Sequence, residues 1–378
     1  MGQKPSRARP SEPPGPINDL PTELISLIIL HTLESFLPPD DLPNGTSWNP
    51  DGYRHTLVAL CRVCKTWYKT ALSMPFLWSA LYLELPMKPR VPFEKITRWF
   101  ERAGSSAART LWLQALNHSH IDYDDGPNEN CPFNSRKLVK LLAEGPAMEY
   151  LTLDCETPKC FYKLRLALST SPMPKGWDGK PWNSLKSLTL YFRDEWDIGY
   201  LPVSLDVLLT HSPRLTTLAL HLPPWGNYFL ALDNSPYTTF SIPEPLLFRI
   251  TDFTLDCDWP YPLIIHVVRA CVNVERLTLA LSYAASRADD DFLNNQQPID
   301  LPRLQTLKIH RMPVAAIIFL RLLRTPNLVE LDLNFQFRGF SPDGYQLLSV
   351  YTYLMFAIAH QLGSSPMLRK LRLYDICI

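Results

Sequence analysis

The stretch INDLPTELISLIILHTLESF (17–36) lies near the start of the 378-residue chain and decides the first part of its fold. Pro21 suits the first turn of a helix, because its missing N–H is not needed there. Apolar residues then recur at the spacing of one helix face, namely Leu20, Leu24, Leu27 and Ile28. The sequence therefore predicts a helix with one apolar stripe.

A second stretch, TLVALCRVCKTWYKTALSMPFLWSAL (56–81), predicts another helix from Thr56 to about Leu72. Apolar residues again recur at steps of three and four, namely Leu57, Leu60, Cys61, Cys64 and Trp67. Two short helices cannot bury both stripes alone, because small domains bury too little surface. They need a partner, which is either the rest of this chain or another protein. An ordinary helical hairpin that caps the following domain would show the same pattern.

The order of motifs in these stretches resembles an F-box, the adaptor-docking module of SCF-type ubiquitin ligases. The matching residues are Leu20, Pro21, Glu23, Leu24, Ile28, Leu60, Val63, Cys64, Lys65, Trp67, Pro75, Leu77 and Trp78. The resemblance implies a binding function, with a Skp-family adaptor and a cullin scaffold as partners. It implies that the adaptor surface and its support comprise Leu20, Pro21, Leu24, Ile28, Leu60, Val63, Cys64 and Trp67. Of these, Trp67 is expected to lie in the core of the helical unit.

The stretch LPPDDLPNGTSWNPDGYRH (37–55) is longer than the short connection that the family has at this point. Its prolines, aspartates and glycines predict a loop. Such an insertion either forms a tolerated surface loop, because loop-closure entropy grows slowly with length, or crowds the adaptor surface. We predict an F-box domain over residues 17–81 with this loop insertion.

Beyond residue 80 a short pattern, apolar-x-x-apolar-x-apolar, recurs along the chain, and its alternation is typical of strands with one buried face. It occurs in WSALYL (78–83), ARTLWL (108–113), MEYLTL (148–153), LKSLTL (185–190), LTTLAL (215–220), ITDFTL (250–255), VERLTL (274–279), LQTLKI (304–309), LVELDL (328–333) and LRKLRL (368–373). Stretches with helical patterns separate many of these segments.

The repeated pattern resembles the leucine-rich-repeat solenoid, although its spacing is irregular and most repeats lack the asparagine that usually follows the core. We predict an α/β fold, in which a three-helix F-box precedes an irregular strand–helix solenoid with a mostly parallel sheet over residues 82–378. No cap pattern follows the last strand, in LRKLRLYDICI (368–378). Either its final residues finish the sheet edge, or the natural protein is longer.

The predicted strands also define a candidate target-binding surface. Residues between the buried leucines point to the opposite face of the sheet, and the resemblance implies that this face is concave. Aromatic and arginine side chains are favoured at the centres of interfaces. The predicted target-binding residues are Trp112, Asp154, Tyr191, His221, Asp256, Lys308, His310 and Arg372. For each of them the alternative is a merely solvated position on the sheet.

Composition narrows the partners and the compartment. Lys and Arg total 37, as do Asp and Glu, so no global field favours nucleic acid or an anionic membrane. No run reaches the roughly 18 apolar residues of a membrane helix. The eight cysteines follow no disulfide framework, which predicts reduced thiols and a cytoplasmic or nuclear protein.

The first residues, MGQKPSRARPSEPPGP (1–16), contain no secretory signal. Their composition predicts a disordered tail. Gly2 and Ser6 also match the myristoylation pattern, which is short enough to occur by chance.

Residues suited to chemistry are sparse. Cys61 and Cys64 have metal-type spacing, but no second pair completes the four ligands that zinc requires, so core packing is expected. The loop HSHIDYDDG (118–126) could gather metal ligands or be an ordinary polar loop. No phosphate loop, nucleophile elbow or dinucleotide fingerprint is present. We therefore expect no enzyme, cofactor or metal. The expected function is a substrate receptor of an SCF-type E3 ligase, with a non-ligase scaffold as the alternative.

Overall fold

A computed structural model describes residues 20–34, 50–85, 93–105, 107–115, 131–155, 157–170, 183–193, 203–205, 212–222, 240–258, 261–281, 295–312, 317–335, 352, 354–360, 363 and 365–374. The predicted disordered tail (1–16) and the polar loop 118–126 lie outside these residues. The chain divides into two compact units. One comprises the residues up to Tyr82 together with Arg98–Ala107, and the other comprises Leu83–Thr97 together with the residues from Ala108 onward.

Three helices build the first unit, namely α1 (Thr22–Glu34), α2 (Pro50–Cys61) and α3 (Lys65–Leu72). A 3₁₀ turn at Pro75–Trp78 follows them. Apolar residues from these elements and from the segment 98–107 form one core, namely Ile25, Ile29, Leu33, Tyr53, Leu57, Trp67, Ala71, Met74, Leu77, Trp78 and Ala103. No single helix could bury an apolar side alone, and the shared core removes from water the side of each helix that carries these residues.

Helix α1 is apolar on two sides, and it turns into the core a set of residues that sequence reasoning did not name. Its buried residues, each one turn from the next, are Ile25, Ile29 and Leu33. Three members of the stripe described from the sequence, Leu24, Leu27 and Ile28, are exposed and so remain open to a partner. Both sets have helical spacing, so periodicity alone could not choose between them.

The helix predicted from Thr56 to about Leu72 is in fact two helices. The amide groups of Arg62 and Val63 donate to carbonyls three residues earlier, at 2.9 and 3.2 Å. Cys64 is then extended, with φ −161° and ψ 175°, which separates α2 from α3. Helix α2 also begins at Pro50, so residues 50–55 are helical although the sequence predicted a loop over 37–55.

Fourteen strands occur among the described residues, most of them five to seven residues long. They are β1 (Ala80–Leu85), β2 (Thr110–Ala115), β3 (Tyr150–Cys155), β4 (Ser187–Phe192), β5 (Val203–Ser204), β6 (Thr217–His221), β7 (Phe240–Ser241), β8 (Asp252–Cys257), β9 (Arg276–Leu281), β10 (Ile299–Asp300), β11 (Thr306–Met312), β12 (Leu323–Arg324), β13 (Glu330–Phe335) and β14 (Lys370–Tyr374). The main sheet has ten strands in the order β1-β2-β3-β4-β6-β8-β9-β11-β13-β14. Two-stranded ladders join β5 to β7 and β10 to β12.

Every pairing from β2 through to β14 in the main sheet is parallel. This confirms the mixed α/β class with a parallel sheet. The shared register aligns the repeated apolar positions into rows. One row comprises Leu111, Leu151, Leu188, Leu218, Phe253, Leu277, Leu307, Leu331 and Leu371. From β2 to β13 this row is buried, so each of its residues contributes about 1.5–3 kcal/mol of burial.

Proline-containing turns precede several of these strands. In the turns that contain Pro213, Pro302, Pro326 and Pro366, an amide donates to the carbonyl three residues earlier. The fixed φ of proline suits the second position of such a turn. Asn273 and Asn327 also donate side-chain hydrogen bonds to Phe248 O and Pro302 O, at 2.8 and 2.7 Å. Each bond links an asparagine side chain to a carbonyl 25 residues earlier in the sequence, and so joins consecutive strand segments.

Further helices lie between the strands, namely α4 (Phe93–Arg102), α5 (Arg136–Glu144), α6 (Pro158–Thr170), α7 (Glu244–Leu247), α8 (Tyr261–Ala270) and α9 (Ile317–Leu322). Residues 354–360 are also helical. The start of α5 shows why a helix begins at this point of the sequence. The hydroxyl of Ser135 accepts a hydrogen bond from the amide of Leu138 at 3.2 Å, which satisfies one free donor of the first turn.

Candidate functional site

The first unit presents an exposed apolar face, formed on α1 by Leu24, Leu27 and Ile28, which we call the docking face. These side chains are 47%, 60% and 39% exposed. They lie at i, i+3 and i+4, so they share one side of the helix. Val63, in the turn between α2 and α3, is also largely exposed. Exposed apolar side chains that share one side of a helix make this face a candidate interaction site.

The predicted adaptor-binding residues fall into three groups. Pro21, Leu24, Ile28 and Val63 are exposed and available to a partner. Leu20, Leu60 and Cys64 are half-buried and pack against the core. Trp67 is buried within that core, as the sequence predicted. Leu27 is the most exposed apolar residue of α1, and sequence reasoning had assigned it to the stripe without naming it as a contact.

Hydrogen bonds from aromatic side chains stabilise the first unit. The Tyr53 hydroxyl donates to Leu77 O at 3.1 Å, and burial raises the pKa of Tyr53 to about 12. Trp78 Nε1 donates to Ala71 O at 2.9 Å, and Trp99 Nε1 donates to Ala80 O at 3.0 Å. The two indole rings meet edge to face with centroids 4.9 Å apart. Buried polar groups that are satisfied in this way stabilise the packing of α2 and α3 against the segment that follows them.

The thiols of Cys61 and Cys64 follow the packing prediction. Both side chains are half-buried against the helical core, and burial raises the pKa of Cys61. All cysteines in the described part of the chain are free thiols. Within those same residues, no group of three or more His, Cys, Asp or Glu side chains could hold a metal ion.

The second candidate surface is the side of the parallel sheet opposite its buried leucines, which we call the open face. Its central row, one residue per strand from β2 to β14, is Trp112, Thr152, Thr189, Ala219, Thr254, Thr278, Lys308, Asp332 and Arg372. A second row lies two residues further along the strands and comprises Gln114, Asp154, Tyr191, His221, Asp256, Ala280 and His310. All of the predicted target-binding residues are in these rows, so their common face is as predicted. Their binding role stays a prediction.

Three of the predicted residues form an aromatic stack. The rings of Trp112 and Tyr191 are 6.0 Å apart with planes 8° from parallel. The rings of Tyr191 and His221 are 4.1 Å apart with planes 10° from parallel. Burial raises the pKa of Tyr191, and the nearby Asp154 raises it further. The stack crosses strands β2 to β6 and gives this half of the open face an aromatic character.

Asp154 is held by an arginine that sequence reasoning did not name. Arg193 donates from Nε to Asp154 Oδ1 at 2.7 Å, and its Nη2 donates to Oδ2. The Asp154 side chain is only 2% exposed. Burial raises the pKa of Asp154, and the pairing with Arg193 opposes that rise. Arg193 continues the alternation of Thr189 and Tyr191, so the period of the strand could have identified it.

Asp256 is held by a second arginine, from the strand two positions further along the sheet order. Arg311 Nη2 donates to Asp256 Oδ1. His221 Nδ1 lies 3.3 Å from Asp256 Oδ2, and because a carboxylate only accepts, this nitrogen carries the proton. Burial lowers the pKa of His221 to about 4, aided by Arg311 and opposed by Asp154. His221 is therefore a neutral member of the stack near neutral pH.

The position of Arg311 depends on an irregularity in β11. The register between β11 and β13 shifts between Ile309 and Met312. At this bulge Arg311 has a φ of 53°, a left-handed conformation that is rare for residues with a side chain. Regular alternation would place Arg311 on the leucine side of the sheet. The bulge instead brings its guanidinium to Asp256 on the open face.

The other predicted residues lie apart from the stack. Arg372 Nη1 donates to Glu330 Oε1 at 2.9 Å and to Asp332 Oδ2 at 3.3 Å. Lys308 and His310 are on β11, half-exposed in the central and second rows. The open face therefore has an aromatic half over β2–β6 and a charged half over β8–β14.

Comparison with known families agrees with the architecture of the first unit. Residues 17–84 match the F-box-like family, and so form an F-box-like domain. This supports an F-box protein, and such a domain implies a Skp-family partner and a role in adaptor binding. No curated protein matches the chain. Among the described residues, none of the helices combines the length and apolar character that a bilayer crossing requires.

Proposed function

We propose that this chain is the substrate-receptor subunit of an SCF-type E3 ubiquitin ligase. In this proposal the F-box-like domain docks a Skp-family adaptor, which connects it to a cullin scaffold. The parallel sheet belongs to an irregular leucine-rich-repeat-like solenoid that holds a protein target. The chain performs no chemistry and needs no cofactor, since bringing the target close to the transfer machinery supplies proximity. Such a subunit acts in the cytoplasm or the nucleus.

The docking face carries the adaptor-binding part of this proposal. Leu24, Leu27 and Ile28 are exposed on α1 although Ile25 and Ile29 already bury the opposite side of the same helix. A helix that needed only its own core would not expose a second apolar side. A few apolar anchors at the centre of an interface commonly supply most of its binding energy.

The open face supports the target-binding part. Aromatic and arginine side chains, which are favoured at interface centres, gather there as Trp112, Tyr191, Arg193 and Arg311. Their hydrogen bonds and stacking hold them in place before any partner binds, which lowers the entropy lost on association.

Co-purification of the full-length chain with adaptor and cullin tests the proposal. The wild-type chain should recover both proteins, and Leu24→Ala combined with Ile28→Ala should recover neither. Leu166→Ala on α6 removes a similarly exposed leucine from the second unit and serves as the matched control. Recovery of the adaptor without cullin would favour the non-ligase scaffold. Failure of the wild-type chain to bind the adaptor would contradict both.

A further inference from the structure

The charged half of the open face has the features of a prearranged anion contact centred on Arg311. This arginine reaches Asp256 by crossing β9, where Ala280 lies directly opposite Asp256 in the register. The small side chain of Ala280 leaves room for that crossing. Arg311 side-chain atoms remain 38% exposed while Asp256 is 16% exposed, so the arginine presents more of its surface to a partner than the carboxylate does.

Backbone strain at Arg311 indicates that this placement has a use. A residue with a side chain in the left-handed region costs on the order of 1 kcal/mol, and such outliers concentrate at binding sites. The strain is not explained by full satisfaction of the guanidinium. Among the described residues, Arg311 Nε is buried without a hydrogen-bond partner and Nη2 pairs with a single oxygen.

The positive charge that this part of the face offers a partner is local to Arg311. From β8 to β14 the open face carries five cationic side chains, namely Arg276, Lys308, Arg311, Lys370 and Arg372. Asp252, Asp256, Glu330 and Asp332 are the acidic side chains of the strands, and Asp258 continues the alternation past β8, so the two signs balance. Arg311 is more exposed than the Asp256 with which it pairs, and one guanidinium matches a single carboxylate better than a dianionic phosphate.

The ring stack beside Arg311 gives the contact a second component. Tyr191 and His221 lie face to face next to Asp256. They offer apolar surface to a residue that neighbours the carboxylate. A guanidinium paired with a carboxylate through two parallel hydrogen bonds adds geometric specificity to its attraction.

We propose that Arg311 binds an Asp or Glu side chain of an extended target segment, whose adjacent apolar or aromatic residue packs on the Tyr191–His221 rings. This inference rests on the proposed target-binding role of the sheet. To that role it adds the class of target segment that the open face selects, which is an acidic segment.

The test is selection from a displayed library of random dodecapeptides on the full-length chain. Selected peptides should be enriched in Asp or Glu next to an apolar or aromatic residue. Replacing that acidic residue by its amide should weaken a selected peptide by about tenfold or more, as expected for a lost charged hydrogen bond. The variant Arg311→Gln/Asp256→Asn should cause a similar loss, and it leaves no unpaired buried charge.

Arg276→Gln provides the matched control, because Arg276 pairs with Asp252 on the same face at 2.8 Å. It should weaken peptide binding by much less than the Arg311 variant does, because Arg276 lies outside the proposed contact. Selection of peptides without acidic residues, no selection at all, or equal losses in both arginine variants would each overturn the inference. Tighter binding of a phosphoserine version than of the glutamate version would overturn the choice of a single carboxylate.

Adaptor co-purification from the same preparations separates this result from the proposed function. Intact adaptor binding with acid-independent peptides removes the inference alone. Absent adaptor binding removes the ligase proposal whatever peptides are selected.

Discussion

The docking face and the open face differ in how far their groups are satisfied before a partner arrives. On α1, Leu24, Leu27 and Ile28 stay in contact with water. On the open face, Asp154 and Asp256 are already paired with Arg193 and Arg311. A complex at the docking face is stabilised because binding removes apolar surface from water. A partner of the second face must match groups that are already in position. The comparison predicts strong, tolerant binding at the docking face and selective binding at the open face.

The largest expected effect separates the two sides of α1. Ile25→Ala should lower the free energy of unfolding of the first unit by about 2–5 kcal/mol, because it opens a cavity in the core. Leu24→Ala should lower it by less than about 0.5 kcal/mol, since that side chain is exposed. Denaturant unfolding measures both variants.

In adaptor binding, Leu24→Ala should have the larger direct effect, although it has the smaller effect on stability. Leu24→Ala should weaken adaptor binding by about 2 kcal/mol while leaving the fold intact. Equal effects of the two variants on stability would contradict the assignment of inner and outer sides.

The next effect concerns pH and the aromatic stack. His221 faces Tyr191, Asp256 and Arg311, with Asp154 close enough to act on it. Its pKa falls to about 4 in the folded chain, against about 6.5 when unfolded. The unfolded state therefore binds the proton first as pH falls.

Stability should be complete above about pH 6.5 and should decrease by about 3 kcal/mol as the pH falls to about 4. Unfolding curves at pH 7 and pH 4 measure this change, with His221→Gln as the control that should reduce it. An identical pH dependence in wild type and variant would show that His221 is not the group responsible.

A smaller effect is expected from the Arg193 pair. Arg193→Gln should destabilise the sheet unit by about 2 kcal/mol at neutral pH, because it leaves the buried Asp154 carboxylate without its cation. Burial already raises the pKa of Asp154, so this loss should shrink as the pH falls and the carboxyl is protonated. Asp154→Asn in the same chain should restore much of the lost stability. Thermal unfolding of the single and double variants decides whether the buried charge is the cause.

The smallest effect is expected for the exposed pair of Arg276 and Asp252. Its atoms are 2.8 Å apart, but the arginine side chain is more than half exposed. Arg276→Gln should therefore change stability by no more than about 0.5 kcal/mol. A loss as large as that of Arg193→Gln would contradict the distinction between buried and exposed pairs on this face.

Sequence reasoning succeeded better for the sheet than for the helical unit, because strand alternation constrains side-chain direction more than helical spacing does. A residue in a strand lies on one of only two faces, and the buried leucines show which face is which. The faces of Trp112, Tyr191 and Lys308 were therefore correct, and Arg193 was within reach of the same argument. Helical periodicity left a choice on α1, which is apolar on two sides, and the inner set proved to be Ile25, Ile29 and Leu33.

By itself the sequence determined the F-box-like motif order, the strand positions and the parallel sheet, because these depend on local patterns and repeated spacing. Only the tertiary structure decided which side of α1 lies in the core, since that depends on how α2 and α3 pack against it. Only the tertiary structure placed Arg311 beside Asp256, because a bulge with a φ of 53° reverses the alternation at that residue. A pattern of residue types specifies which side chains can be buried together. The packing of distant segments selects the arrangement with the lowest free energy, and that selection exposed Leu24 and turned Arg311 onto the open face.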